Sequence, residues 1–172
     1  MKTETLIIII LMPKSKSLII LGIDPGLADT GFGIVEKDGN CLKMIDYGNI
    51  KTKAGNDLEK RLVEIHQQLT KIIKKYKPDM ASVEKLFFCK NVKTAIAVGQ
   101  ARGVMMLTAA QNKLPVHEFT PLQIKMALTS YGKASKDQVQ QMVKIVLALK
   151  QIPKPDDAAD ALAAAVCCAN HL

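Results

Sequence analysis

Four carboxylates occupy positions from which they can act together: Asp24, Glu84, Asp157 and Asp160. Asp24 closes the apolar run of residues 18–23, and Glu84 closes that of residues 80–83. The carboxyl ends of strands in an α/β sheet converge on one rim, where sites form. Asp157 and Asp160 open an Ala-rich helical stretch at i and i+3, so both can point at one spot. If that helix packs beside the rim, four acids meet. Clustered anions repel, and hard divalent cations with oxygen ligands relieve the repulsion. Two such ions about 3.5–4 Å apart activate a water and stabilise the leaving oxygen of a phosphodiester. The pattern therefore suits metal-dependent cleavage of a nucleic-acid backbone. Each acid also has a plainer reading. Asp156, Asp157 and Asp160 are the kind of first-turn acids that a helix dipole favours. Asp24 in Asp-Pro-Gly reads as a turn residue, and Glu84 as a solvated strand end.

The elements that must position these groups follow from hydrophobic period and punctuation. Residues 18–23 form a continuous apolar run, the pattern of a strand buried on both faces. Residues 31–35 and 42–50 read as two further strands, joined at an Asp38-Gly39 hairpin. Asn56 is expected to cap a helix, with Glu59 as its capping-box partner. Leu58, Leu62, Ile65, Leu69, Ile72 and Tyr76 form that helix's apolar stripe, and Lys77-Pro78-Asp79 ends it. A strand follows at 80–83, then a helix at 94–110 that is apolar almost all round and carries Gly99 and Gly103. Residues 114–118 read as the fifth strand. Thr120 and Pro121 open a short helix. After a polar loop, helices are expected at 137–150 and 156–169, separated by a linker with Pro153 and Pro155. Three strands followed by alternating helix and strand predict an α/β fold with a mixed sheet.

The 172 residues, 48% hydrophobic and 23% charged, exclude a disordered chain, a fibre or a coiled coil. Lys+Arg 24 against Asp+Glu 16 gives a net charge of +8, which favours a polyanionic partner, nucleic acid before anionic lipid. The four cysteines, Cys41, Cys89, Cys167 and Cys168, form no C-x-x-C pair. They argue against a zinc site or a disulfide framework and for a reducing, cytoplasmic compartment. Cys167 and Cys168 read as small buried hydrophobes. The apolar run at 6–12 is far short of the roughly 20 residues of a membrane span. Residues 1–16 are expected to be a dispensable extension, with Met12 an alternative start, ahead of one domain at 17–172.

Further motifs gather around these acids. Ile23-Asp24-Pro25-Gly26 is followed by Thr30-Gly31-Phe32-Gly33. Val83-Glu84-Lys85-Leu86-Phe87 precedes Lys90-Asn91 and Gly99-Gln100-Ala101-Arg102-Gly103. Tyr131-Gly132-Lys133-Ala134 runs on to Lys136 and Gln138-Val139-Gln140, and Asp157-Ala158-Ala159-Asp160-Ala161-Leu162-Ala163 closes the series. In order and spacing these blocks resemble the RuvC Holliday-junction resolvases from about Ser17 to the C-terminus.

The resemblance implies a ribonuclease H-like mixed five-stranded sheet flanked by helices. It also implies a homodimer that resolves four-way DNA junctions in recombination and repair. Paired, symmetric, Mg²⁺-dependent nicks would leave 5′-phosphate and 3′-hydroxyl ends. It places Asp24, Glu84, Asp157 and Asp160 as ligands for two Mg²⁺ ions per site, which Mn²⁺ can replace. Asp156, beside Asp157, is a competing ligand. Phe87 would stack on an unpaired base, a contribution of roughly 1–3 kcal/mol. Lys125, Lys133 and Lys136 are candidates for contacts to phosphate, of which Lys125 and Lys136 match positions the family uses near the scissile phosphate. Of two consecutive aromatics only one easily faces inward, and Phe88 is expected to be that one. The resemblance further implies a RuvA–RuvB branch-migration complex as partner, and no membrane. The apolar helix at 94–110 would meet its twofold copy, with Gly99, Ala101 and Gly103 permitting close approach. Burial of that helix within one monomer is the alternative. Two other classes share parts of the pattern. Non-catalytic nucleic-acid modules use the same fold, but a full set of four acids argues against them. Actin-like ATP proteins open with a similar Asp-x-Gly, but they need two lobes.

Overall fold

The computed structural model describes residues 17–85 and 92–172, without the side chains of 92–94. Its elements run β1 (Leu18–Asp24), β2 (Asp29–Asp38), β3 (Cys41–Lys51), α1 (Leu58–Tyr76), β4 (Met80–Glu84), α2 (Val92–Gln111), β5 (Val116–Phe119), α3 (Pro121–Thr129), α4 (Lys136–Val146) and α5 (Asp156–Asn170). The sheet order is β3-β2-β1-β4-β5. β1 pairs antiparallel with β2 and parallel with β4. β3 extends the antiparallel side and β5 the parallel side. The expected mixed five-stranded sheet is therefore present.

Both sheet faces are covered, which explains why β1 lacks polar alternation. Ile20 of β1 and Val35 of β2 join α3, α4 and α5 in one core. Leu21, Ile23, Ile34 and Ile50 join Ile65, Leu69 and Met105 of α1 and α2 in the other. α5 is buried all round from Ala158 to Ala169 apart from Asp160, held between the sheet and α3 and α4. Its alanines let it lie almost on the sheet backbone. A Cβ on Gly22 would fall 1.9 Å from the Ala161 carbonyl oxygen, and one on Gly31 1.9 Å from that of Asp157. Ser82 Oγ donates to the Ala164 carbonyl at 2.7 Å, fixing α5 to β4.

Several boundaries differ from expectation. Asp57, not Asn56, stands at the α1 N-cap, and it makes no side-chain cap bond. Its carboxylate accepts from Lys60 Nζ at 2.6 Å, while the Asn56 amide donates to Glu64 at 3.0 Å. α4 ends at Val146, because Ala148 turns into the left-handed region (φ 49°) and Leu149 N–H bonds back to the Lys144 carbonyl. β5 starts at Val116, since Leu114 N–H closes the turn after α2 by bonding to Ala109. Cys167 and Cys168 are buried, and burial pushes their thiols up to about 12 and about 11. Residues 1–16 lie outside the described residues. No helix among those described is long and apolar enough to cross a membrane.

Candidate active site

Asp24 and Glu84 come from neighbouring parallel strands whose register ends at Ile23 opposite Val83, one residue before each acid. Asp24 also lies opposite Gly31 of β2. The missing side chain at Gly31 lets the first turn of α5 settle there, bringing Asp157 over the strand ends. Asp160 follows one turn later and lines a cleft of about 200 Å³ with Glu84, Lys125, Lys136 and Ile124. Strand ends and helix N-terminus thus converge on one rim, as the order of elements requires.

The acids act on one another. Asp24 is pushed up to about 8, first by burial and then by the charges of Asp160, Glu84 and Asp157, against the opposing effect of Lys136. Burial, then Asp160, raises Glu84, while Lys136 and Lys125 oppose the shift. Burial raises Asp160, with Lys136 pulling the other way and Asp157 and Asp156 adding to the rise. Lys136, at the start of α4, donates to Asp160 Oδ2 at 2.8 Å and lies 3.7 Å from Asp156 Oδ2. Partial burial pulls the Lys136 ammonium down, but its bond to Asp160 and the charges of Asp160, Asp156 and Asp157 outweigh this.

Carboxylate oxygens in a half-buried, mutually repelling set suit a hard divalent cation by donor type and by charge. Among the described residues no three carboxylate, histidine or cysteine side chains are already gathered tightly enough to hold one ion. The ammonium of Lys136 supplies the positive charge at Asp160. A divalent cation bound at Asp160 would share that carboxylate with Lys136 or compete with it.

The sequence model of the family described as crossover junction endodeoxyribonuclease RuvC matches residues 20–168. The chain belongs to the RuvC family. A crossover junction endodeoxyribonuclease RuvC of Halothermothrix orenii is 55% identical over 153 residues, covering 89% of this chain and 93% of the relative. That of Caldicellulosiruptor saccharolyticus is 54% identical over 149 residues, covering 86% and 90%. The solved Thermus thermophilus RuvC in complex with a Holliday junction substrate matches with a TM-score of 0.85 at 32% identity, over 90% of this chain and 94% of that one. The five-stranded fold is thus the ribonuclease H-like fold of solved RuvC structures.

Not every residue singled out in this RuvC-family sequence reaches the cleft. Lys125 and Lys136 line it. Lys133 is exposed in the α3–α4 loop and makes no ion pair among those described. Phe87 and Phe88 lie outside the described residues. Asp156 turns toward lysines: Lys154 Nζ donates to its Oδ1 at 2.7 Å, and that bond leads in holding the carboxyl below its ordinary range. Sequence reasoning passed over Asn49, whose Nδ2 donates to Asp157 Oδ2 at 3.2 Å. A lone asparagine in a strand carries no pattern that would mark it.

α2 is one-sided. Ala101, Met105, Thr108 and Ala109 face inward, so Ala101 is not free for a partner. Ile96 (59% exposed) and Leu107 (56%) point outward on the same stripe as Gly103, where an added Cβ would meet nothing within 4 Å. Among the described residues, α2 is thus left uncovered along this stripe.

Proposed function

We propose that this chain resolves four-way DNA junctions by paired, symmetric nicks that leave 5′-phosphate and 3′-hydroxyl ends, in recombination and repair in the cytoplasm. The observation that carries this reading is the cleft itself, where Glu84 and Asp160 share one opening with Lys125 and Lys136. Asp24, Glu84, Asp157 and Asp160 are the ligands for Mg²⁺, two ions per site, with Mn²⁺ as a substitute. Bound there, the ions would activate a water and neutralise charge on the leaving oxygen.

The residues of the chain do the rest. Asp24 and Glu84, fixed by sheet register, set one wall of the site, and α5 presents Asp157 and Asp160 from a helix too tightly seated to drift. Lys125 and Lys136 attract the backbone phosphate and hold it beside the acids. Lysine offers a point charge without bidentate geometry, so these contacts position DNA rather than read its sequence. Attack of water on phosphorus breaks the P–O3′ bond, and the 3′-oxygen leaves with a proton.

Two opposed cuts need two sites. The exposed stripe of Ile96, Gly103 and Leu107 favours a second copy of the chain, with α2 packing on its twofold mate. The family resemblance assigns DNA contacts to Phe87 and proposes the RuvA–RuvB motor as partner, and exposed Lys133 is a further candidate for phosphate contact.

The test is cleavage of a synthetic mobile junction and an immobile one, with Mg²⁺ and with EDTA. The expected result is paired, ligatable nicks only with metal, against junction binding that survives EDTA. Binding without nicks under any divalent ion would leave a non-catalytic module.

A further inference from the structure

We infer that Asn49 is a positioning residue that fixes the Asp157 carboxylate for ion binding, an inference that rests on Asp157 being a ligand as proposed above. Asp24, Gly31 and Asn49 form one row across β1, β2 and β3, each opposite the next in register. Directly opposed residues of antiparallel strands project to the same face. Gly31 leaves that face bare, and the backbone of Asp157 occupies the space. Asn49, one strand further out, rises beside the helix turn that Gly31 admits, so its amide reaches the Asp157 side chain.

The amide has one workable orientation. Nδ2 donates at 3.2 Å to Asp157 Oδ2 and at 3.2 Å to Asp29 Oδ1, one N–H for each carboxylate. Turned over, Asn49 would face two carboxylates with its oxygen, so the orientation follows from chemistry. Oδ1 is shielded from solvent and has no partner among the described atoms. Asp29, opposite Lys51 in register and 4.0 Å from its ammonium, backs the amide from the far side.

The consequence is a division of labour within Asp157. Oδ2 is held, and Oδ1 is left to face an ion. A neutral amide orients the carboxylate without cancelling its charge, whereas Lys136 both holds and neutralises Asp160. Outer partners that orient a ligand typically contribute about 10–100-fold to metal affinity.

The experiment measures Mn²⁺ binding to the full chain without DNA, by electron paramagnetic resonance, in wild type, Asn49→Ala, Asn49→Leu, Asp157→Ala and Asn49→Ala/Asp157→Ala. Thermal unfolding without metal checks that each is folded. Asn49→Ala and Asn49→Leu should weaken Mn²⁺ binding alike, by about 10-fold, since leucine restores bulk but not the donor. Added to Asp157→Ala, Asn49→Ala should change nothing further. Unchanged affinity in both Asn49 variants, with Asp157→Ala impaired, would overturn the role of Asn49 alone. Full rescue by Asn49→Leu would also overturn it, in favour of packing. Unchanged affinity in Asp157→Ala would overturn the ligand assignment and this inference with it.

Discussion

Lys136 Nζ lies 2.8 Å from Oδ2 of Asp160, in the cleft that Glu84 and Lys125 also line. The lysine pairs with a carboxylate proposed to bind a divalent cation, and it is itself a group proposed to meet phosphate. Under the proposed ligand set, cation binding and the release of Lys136 toward DNA would be one exchange, with Asp156, 3.7 Å from the ammonium, as an alternative anion.

Lys136→Ala should move two measurements in opposite directions. Loss of a competing ion pair should tighten Mn²⁺ binding to the DNA-free protein by about 2–5-fold. Loss of the phosphate contact should slow junction cleavage by at least about tenfold. Titration of Mn²⁺ by electron paramagnetic resonance, beside single-turnover cleavage, checks both. Weaker ion binding would contradict the exchange.

The metal-free protein should lose stability as pH rises. Unfolded, Asp24 releases its proton near the ordinary 3.8; folded, it keeps the proton up to about 8. Between these values the folded state binds more protons than the unfolded state, so stability falls as pH climbs through that window. Calorimetry in EDTA should show a lower Tm at pH 8 than at pH 6. Asp24→Asn should recover about 1–2 kcal/mol at pH 8, roughly 2–8 °C at this chain length.

Gly31→Ala and Gly39→Ala should behave differently. At Gly31 a Cβ meets the Asp157 carbonyl oxygen at 1.9 Å, so the first turn of α5 must shift. Overpacking of this kind costs about 1–3 kcal/mol or more, and here it also moves two proposed ligands. At Gly39 the space is open and only the left-handed φ of +57° matters, a cost of roughly 1–2 kcal/mol. Cleavage at a temperature well below either Tm should be lost in Gly31→Ala and kept in Gly39→Ala.

Much of this arrangement is legible in the chain itself, and the exceptions have physical causes. β1 reads correctly because burial on two faces leaves a continuous apolar run, and α3 because Thr120 and Pro121 mark its N-cap and first residue. The end of α4 was hidden: Ala148 adopts a conformation that glycine or asparagine would have advertised. Burial of α2 on one side only cannot be read from a helix whose residues are apolar on both. Glycine in a strand interior marks a weak point or a close backbone approach, and Gly22, Gly31 and Gly33 together form the track on which α5 lies. Such a track becomes visible only when strand register and helix are seen together, and the contact of Asn49 with Asp157 is hidden for the same reason.

The proposed pairing of α2 across a twofold axis predicts that Leu107→Glu makes monomers. Sedimentation velocity should show dimers for wild type and monomers for the variant, with paired nicks replaced by single ones. Monomeric wild type at micromolar concentration would contradict it.

The most direct test of the four-acid site is Mn²⁺ anomalous scattering from crystals soaked in the metal. Two peaks about 3.5–4 Å apart are expected, liganded by Asp24, Glu84, Asp157 and Asp160, with Lys136 withdrawn from Asp160. Peaks elsewhere, or none at a concentration that supports cleavage, would contradict it.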